Sequence, residues 1–198
     1  IFPFQYLVLQ RANTIIATSE NMKENSFVRK FTRKVQVIPL SVNDECVQKE
    51  KKMDEDYFLF IDADLEFDPE CVLKMLIAEK DVICTPYRAK TNDPETIQYT
   101  VSIKDPHNVK ILPGGLVEIQ NGPAGMMMVK RGVFEKLIKD YPEKEIKVHP
   151  NENTFPKDLR IYNFWDCNFK DGIWKGEDIF FCDLAREAGF KVYANITS

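Results

Sequence analysis

The chain has no excess of positive charge: 27 Lys and Arg stand against 31 Asp and Glu, a formal charge of −4. Nucleic-acid binders usually carry a basic patch or stripe, so that class is disfavoured. Small anionic ligands stay open, because one metal ion and a few placed cations reverse the local field of an acidic protein. Paired cysteines are also missing. Cys46, Cys71, Cys84, Cys167 and Cys182 are scattered, odd in number and form no Cys-x-x-Cys. A zinc ribbon or a thioredoxin motif therefore has no support. An odd thiol count fits a reducing, cytoplasmic compartment best. No apolar run approaches the roughly 18 residues that a spanning helix needs. The opening Ile1-Phe2-Pro3-Phe4 has neither an initiator Met nor a basic leader, so it reads as part of a longer chain rather than a signal peptide. Internal repeats, low-complexity tracts and a Gly-rich basic loop near the start are likewise lacking.

What remains is an ordinary globular composition. With 44% hydrophobic residues, the 198-residue chain can build one domain around a real core. Phe2 to Arg11 fits a helix or a strand equally. Thr14 to Thr18 and Val35 to Ile38 read as short buried strands, with a helical face between them in Lys23 to Lys34. Tyr57-Phe58-Leu59-Phe60-Ile61 is the clearest strand, apolar at every position as in a parallel strand covered on both sides. Asp68 then caps a helix whose first residue is Pro69, running to about Lys80. Asp81 to Thr85, Thr96 to Ile103, Gly114 to Gln120, Met126 to Val129 and Lys191 to Ile196 read as further strands. Val133 to Asp140 and Gly176 to Ala188 read as helices, and Lys144 to Lys170 as a loop or lid. Strands alternating with helices predict an α/β fold with a mostly parallel central sheet.

Chemistry concentrates in three places. Asp62 and Asp64 follow the most buried strand directly, where ligands of open α/β sheets bind. Two carboxylates so placed cannot both enter a packed core without heavy desolvation, and a divalent cation would neutralise them. Hard oxygen ligands suit Mg²⁺ or Mn²⁺. An EF-hand is excluded, since Phe67 occupies the position that needs glycine. The second place is Trp174-Lys175-Gly176-Glu177-Asp178. Its carboxylates open a helix, which the helix dipole alone explains, but one of them is also suited to act as a general base. The third is Gly122-Pro123-Ala124-Gly125, either a tight turn into a strand or a close approach of backbone to ligand. The aromatic run Tyr162, Phe164, Trp165 and Trp174 fits carbohydrate stacking or a buried cluster.

Three segments, in this order, resemble the GT-A glycosyltransferases, especially family 2-like enzymes of bacteria and of large DNA viruses, including those of algae. Tyr57 to Phe67 resembles the family's strand and DXD motif. Asn121 to Phe134 resembles the glycine-containing strand and helix beside its donor-sugar pocket. Gly176 to Cys182 resembles the acidic motif where inverting members place their base. The resemblance implies a Rossmann-like GT-A sheet flanked by helices, with a small second sheet. It also implies a nucleotide-binding half over residues 1–85 and a donor-sugar and acceptor half over 86–198.

By the same resemblance, Asp62 and Asp64 hold Mn²⁺ or Mg²⁺. Thr18, Ser19, Asp62, Ala63, Arg88, Lys90, Ala124 and Gly125 contact a nucleotide-sugar, a UDP-sugar by preference. Asp178 is the base, and Trp174 and Glu177 meet a carbohydrate or glycoconjugate acceptor. No nucleic acid and no transmembrane segment is implied. Two features depart from the family pattern. No Pro-x-x-Asn-like turn precedes Thr14, and no histidine follows the last strand, His107 and His149 lying elsewhere. A non-catalytic sugar-nucleotide-binding module and a sugar nucleotidyltransferase are the alternatives.

Overall fold

A computed structural model describes residues 15–17, 35–37, 56–62, 65–91, 95–147, 160–170 and 172–197. Ten strands and three α-helices are described. The strands are β1 (Ile15–Ala17), β2 (Val35–Val37), β3 (Tyr57–Ile61), β4 (Val82–Cys84), β5 (Ile111–Leu112), β6 (Leu116–Ile119), β7 (Met126–Lys130), β8 (Asn168–Lys170), β9 (Ile173–Lys175) and β10 (Val192–Asn195). The helices are α1 (Glu70–Ala78), α2 (Arg131–Asp140) and α3 (Glu177–Glu187).

The central sheet has six strands in the order β3-β7-β4-β10-β6-β5. Only β4 and β10 pair in parallel; β3–β7, β7–β4, β10–β6 and β6–β5 are antiparallel. The fold is α/β as expected, but its sheet is mixed and mostly antiparallel, which corrects the mostly parallel expectation. The cause is β7. It inserts between β3 and β4 running against both, although those two strands share one direction. An all-apolar run such as Met126-Met127-Met128-Val129 reveals burial on both faces and not strand direction. Two further sheets have two strands each, β1–β2 parallel and β8–β9 antiparallel, and β1 runs beside β3.

Strand alternation distributes the core between two layers. Val82, Cys84, Val117, Ile119, Met127, Val129, Val192 and Ala194 face α2 and α3, meeting Val133, Leu137, Phe181 and Cys182. Ile83, Leu116, Met126 and Met128 face the opposite way, onto Cys71, Val72 and Met75 of α1. Helices thus cover both faces, which is why the strands read as continuous apolar runs. The start of α1 follows the predicted chemistry: Pro69 is already helical, and the Glu70 N–H donates to Asp68 Oδ1 at 2.9 Å. The strand predicted over Thr96 to Ile103 is absent, replaced by two isolated bridges, Arg88 to Tyr99 and Ser102 to Asn121. Among the described residues no helix is long and apolar enough to cross a membrane.

Three rings of the predicted lid join the core. Phe164 is buried, and Trp165 stacks on Phe181 with ring centroids 4.1 Å apart. Tyr162 stacks on Phe164 at 5.6 Å. These rings pack against α3 and the sheet as part of the core, whereas Phe155 lies outside the described residues. Phe181 is fully buried and also meets Phe134 of α2, with ring centroids 5.9 Å apart. Truncation of a fully buried aromatic leaves a cavity as well as lost transfer energy. Phe181→Ala should therefore cost about 3–5 kcal/mol in urea denaturation, and a loss under 1 kcal/mol would contradict this packing.

Candidate functional site

The site is built where β3 ends. Its ladder with β7 extends one residue past Ile61, because the Asp62 N–H donates to the Gly125 carbonyl at 2.9 Å. The Leu65 N–H donates to the Asp62 carbonyl at 3.3 Å. This leaves the Asp62 side chain at the sheet rim, half-buried, lying over Gly125. A Cβ added at Gly125 would stand 2.5 Å from Asp62 Oδ2 and 2.4 Å from the Tyr87 hydroxyl oxygen. A side chain here would force the Asp62 carboxylate and the Tyr87 phenol to shift, so glycine permits their present arrangement.

Tyr87 was not singled out from the sequence, though it follows the strand-ending Pro86. Its backbone is fastened by Thr100, whose N–H and hydroxyl both donate to the Tyr87 carbonyl at 3.0 Å. The Tyr87 N–H in turn donates to Thr100 Oγ1 at 3.3 Å. That anchorage aims the phenol at the rim. Its only advance signal was an aromatic directly after a predicted strand, which is too common to decide anything.

The second carboxylate arrives from far along the chain. Asp178 is the second residue of α3, whose N-cap is Gly176 in an extended conformation. It accepts a hydrogen bond from the Ala124 backbone N–H, on the residue next to the one beneath Asp62. Burial pushes its pKa from 3.8 up to about 6, the Ala124 N–H pulls it down, and the charges of Glu177 and Asp62 raise it further. The helix N-terminus would favour an ionised carboxylate, yet desolvation outweighs that pull. Glu177, one residue earlier, is exposed.

Residues 122–125 thus form a strap that both carboxylates approach. The strap is pressed onto the core. A Cβ at Gly122 would meet Cys84 Sγ at 2.4 Å and Ile119 Cδ1 at 2.8 Å, and Cys182 Sγ lies 3.7 Å from the Gly122 carbonyl. Both thiols are buried, which raises Cys84 well above its usual pKa and Cys182 to about 11. They are protonated packing groups, not nucleophiles.

The other predicted residues scatter more. Arg88 and Lys90 are exposed beyond β4, with the Arg88 guanidinium donating to the Thr96 carbonyl at 3.2 Å. Trp174 is 64% exposed on the β8–β9 hairpin, so it is available to a ligand in a way that Trp165 is not. Thr18, Ser19, Ala63 and Asp64 lie outside the described residues. Among the described residues no three His, Cys, Asp or Glu side chains group as a metal site. The structure therefore joins Asp62, Tyr87, Ala124, Gly125 and Asp178, and leaves Arg88, Lys90 and Trp174 at the surface.

No family model and no curated protein matches the chain. Among solved structures, A197 from STIV is similar at a TM-score of 0.43 and 17% identity, over 93% of this chain and 80% of that one. That likeness is too distant to carry a function across.

Asp178 has a folded pKa near 6 and an ordinary value of 3.8, so its ionisation destabilises the fold. Well below pH 3.8 both states are protonated and nothing is lost; stability falls as pH rises from 3.8 to about 6 and levels off above that. Asp178→Asn keeps an acceptor for Ala124 and, with the shift discounted for solvent screening at this part-exposed group, should gain about 1–2 kcal/mol at pH 7.5 but almost nothing at pH 3.5. Equal stability of variant and wild type at both pH values would disprove the desolvated carboxylate. Gly125→Ala should fold, because neighbouring atoms at the rim can yield, but at a cost of about 1–3 kcal/mol. Tyr87→Phe, which removes one of the colliding atoms, should recover part of that loss in a double-mutant cycle.

Proposed function

We propose that the chain is a metal-dependent glycosyltransferase domain of GT-A type, moving a sugar from a nucleotide-diphosphate donor, by preference a UDP-sugar, to an acceptor hydroxyl. One observation carries the reading. Asp62 and Asp178, more than a hundred residues apart, reach neighbouring positions of one glycine-containing strap. These are the acidic residues of the two motifs whose order resembles that family, and the strap is its third segment. A purely structural role for either carboxylate does not require the other.

Asp62, together with Asp64, offers the hard oxygen donors that suit Mn²⁺ or Mg²⁺. When bound, such an ion supplies charge neutralisation for the departing diphosphate. Within the strap Ala124 is partly exposed, and its small side chain would leave room for the donor sugar. Asp178 accepts the proton of the acceptor hydroxyl as its oxygen bonds to the anomeric carbon. The carbon–oxygen bond to the diphosphate breaks, and its electron pair leaves with the diphosphate, giving inversion. A carboxylate with a pKa near 6 is mostly ionised at neutral pH yet basic enough to share a proton in the transition state. Glu177 and Trp174, both exposed just before it, contact the acceptor.

The test is incubation with Mn²⁺ and a panel of nucleotide-sugars, followed by chromatography for free nucleoside diphosphate. Diphosphate release is expected. Pyrophosphate chemistry would indicate a nucleotidyltransferase instead, and silence across the panel a non-catalytic binding module. Asp178→Asn should cut turnover by about 10²–10⁴-fold while leaving donor affinity in calorimetry nearly unchanged. Turnover of the wild type should rise with pH through about 6, as Asp178 becomes ionised. A variant that turns over normally would place the base on another residue.

A further inference from the structure

Below Asp178, α3 carries another carboxylate that the mechanism does not use. The Asp183 side chain is only 19% exposed and gathers partners from three parts of the chain. Its Oδ2 accepts from Lys175 Nζ, at the end of β9. Its Oδ1 accepts from Arg186, within α3. With the Asn121 amide oriented so that both ends meet complementary groups, its nitrogen stands 3.3 Å from the same Oδ1 and 2.9 Å from the Gln120 carbonyl.

The position of those partners is what matters. Lys175 is the residue before Gly176, the N-cap that leads straight into Glu177 and Asp178. Asn121 is the residue before Gly122, where the strap begins. Asp183 therefore ties down, from one buried spot, the chain segment that delivers the Asp178 carboxylate and the segment that delivers the Ala124 N–H. Removing it would do more than cut single contacts. Arg186 and Lys175 would be left as two cations around a vacated acceptor, with Arg186 Nε already buried and without an acceptor. Uncompensated like charges at such a site repel, and long side chains in a partly buried setting have few alternatives.

We propose that Asp183 is a positioning residue, clamping the β8–β9 hairpin and the 121–125 strap onto α3 and thereby setting the Ala124 N–H to Asp178 hydrogen bond. Its meaning for turnover rests on the transferase reading; its structural action does not. Charge-assisted hydrogen bonds of this kind are the stronger class, so their loss should be visible locally.

Amide hydrogen exchange by NMR tests the clamp without any ligand. In Asp183→Asn, the Ala124 amide and the amides of β8 and β9 should exchange about tenfold faster. Those of α1, on the other face of the sheet, should be unchanged. Unchanged Ala124 exchange, or equal acceleration across α1, would overturn the proposal. Should that variant fail to fold, Lys175→Met removes only the hairpin link. It should then accelerate the β8–β9 amides alone, and no acceleration there overturns the clamp. In the diphosphate-release assay with Mn²⁺ and the accepted nucleotide-sugar, Asp183→Asn should lower kcat about tenfold with donor KM within about twofold. Asp183→Glu should restore part of it. An unchanged kcat, or a KM rising as much as kcat falls, would remove the positioning role. If the wild type releases no diphosphate, the transferase reading fails and the exchange experiment alone decides.

Discussion

The arrangement depends on how tightly residues 122–125 are pressed between the core and two acidic side chains. On one side Cys84, Ile119 and Cys182 leave no volume for a Cβ at Gly122. On the other, the Asp62 carboxylate and Tyr87 hydroxyl leave none at Gly125. The backbone between these glycines can then do two things at once. It ends the β3–β7 ladder through the Gly125 carbonyl and presents the Ala124 N–H to Asp178. Larger residues would push the strap off the core and separate the carboxylates it brings together.

Such a site is not the most stable one the chain could form. A carboxylate at a helix N-terminus ordinarily gains from the dipole, and a hydrogen bond from a backbone amide adds to that gain. At Asp178 both favourable effects are present, yet burial and the neighbouring charges of Glu177 and Asp62 outweigh them. Keeping this residue acidic costs folding energy at neutral pH, and nothing in its packing demands a carboxylate. Asparagine would fill the same space and accept the same hydrogen bond. Local rules broken without a structural return are where function is to be sought.

Much of this was legible in the sequence, for identifiable reasons. The apolar run Tyr57 to Ile61 ending in Asp62 located a strand and its rim. Asp68 and Pro69 marked the start of α1, and the acidic first turn of α3 marked its own. Strand direction was not legible, because Met126 to Val129 is apolar on both faces whichever way it runs. The Thr96 to Ile103 strand failed because β-branched residues there make only two isolated bridges, with Ile97 and Tyr99 left exposed. Tyr87 and Asp183 escaped notice for a different reason: each acts through residues distant in sequence, Gly125 in one case and Asn121 in the other. The aromatic run from Tyr162 to Trp174 concealed a division that only packing makes, with Phe164 and Trp165 inside and Trp174 outside.

The neighbouring carboxylates Glu177 and Asp178 show how one motif supplies two chemical characters. Both sit in the first turn of α3 and feel the same dipole. Asp178 is drawn under the strap and loses water, so its proton affinity rises to about 6. Glu177 stays exposed, its Oε2 3.9 Å from the exposed Cys167 thiol. Environment and not residue type thus sets the two apart: Asp178 is desolvated against the strap, and Glu177 remains open to water. The separation depends on how deeply α3 is seated. Phe181 and Cys182, buried against the sheet one turn further on, fix that depth. The core contacts of this helix therefore set the acidity of its first turn.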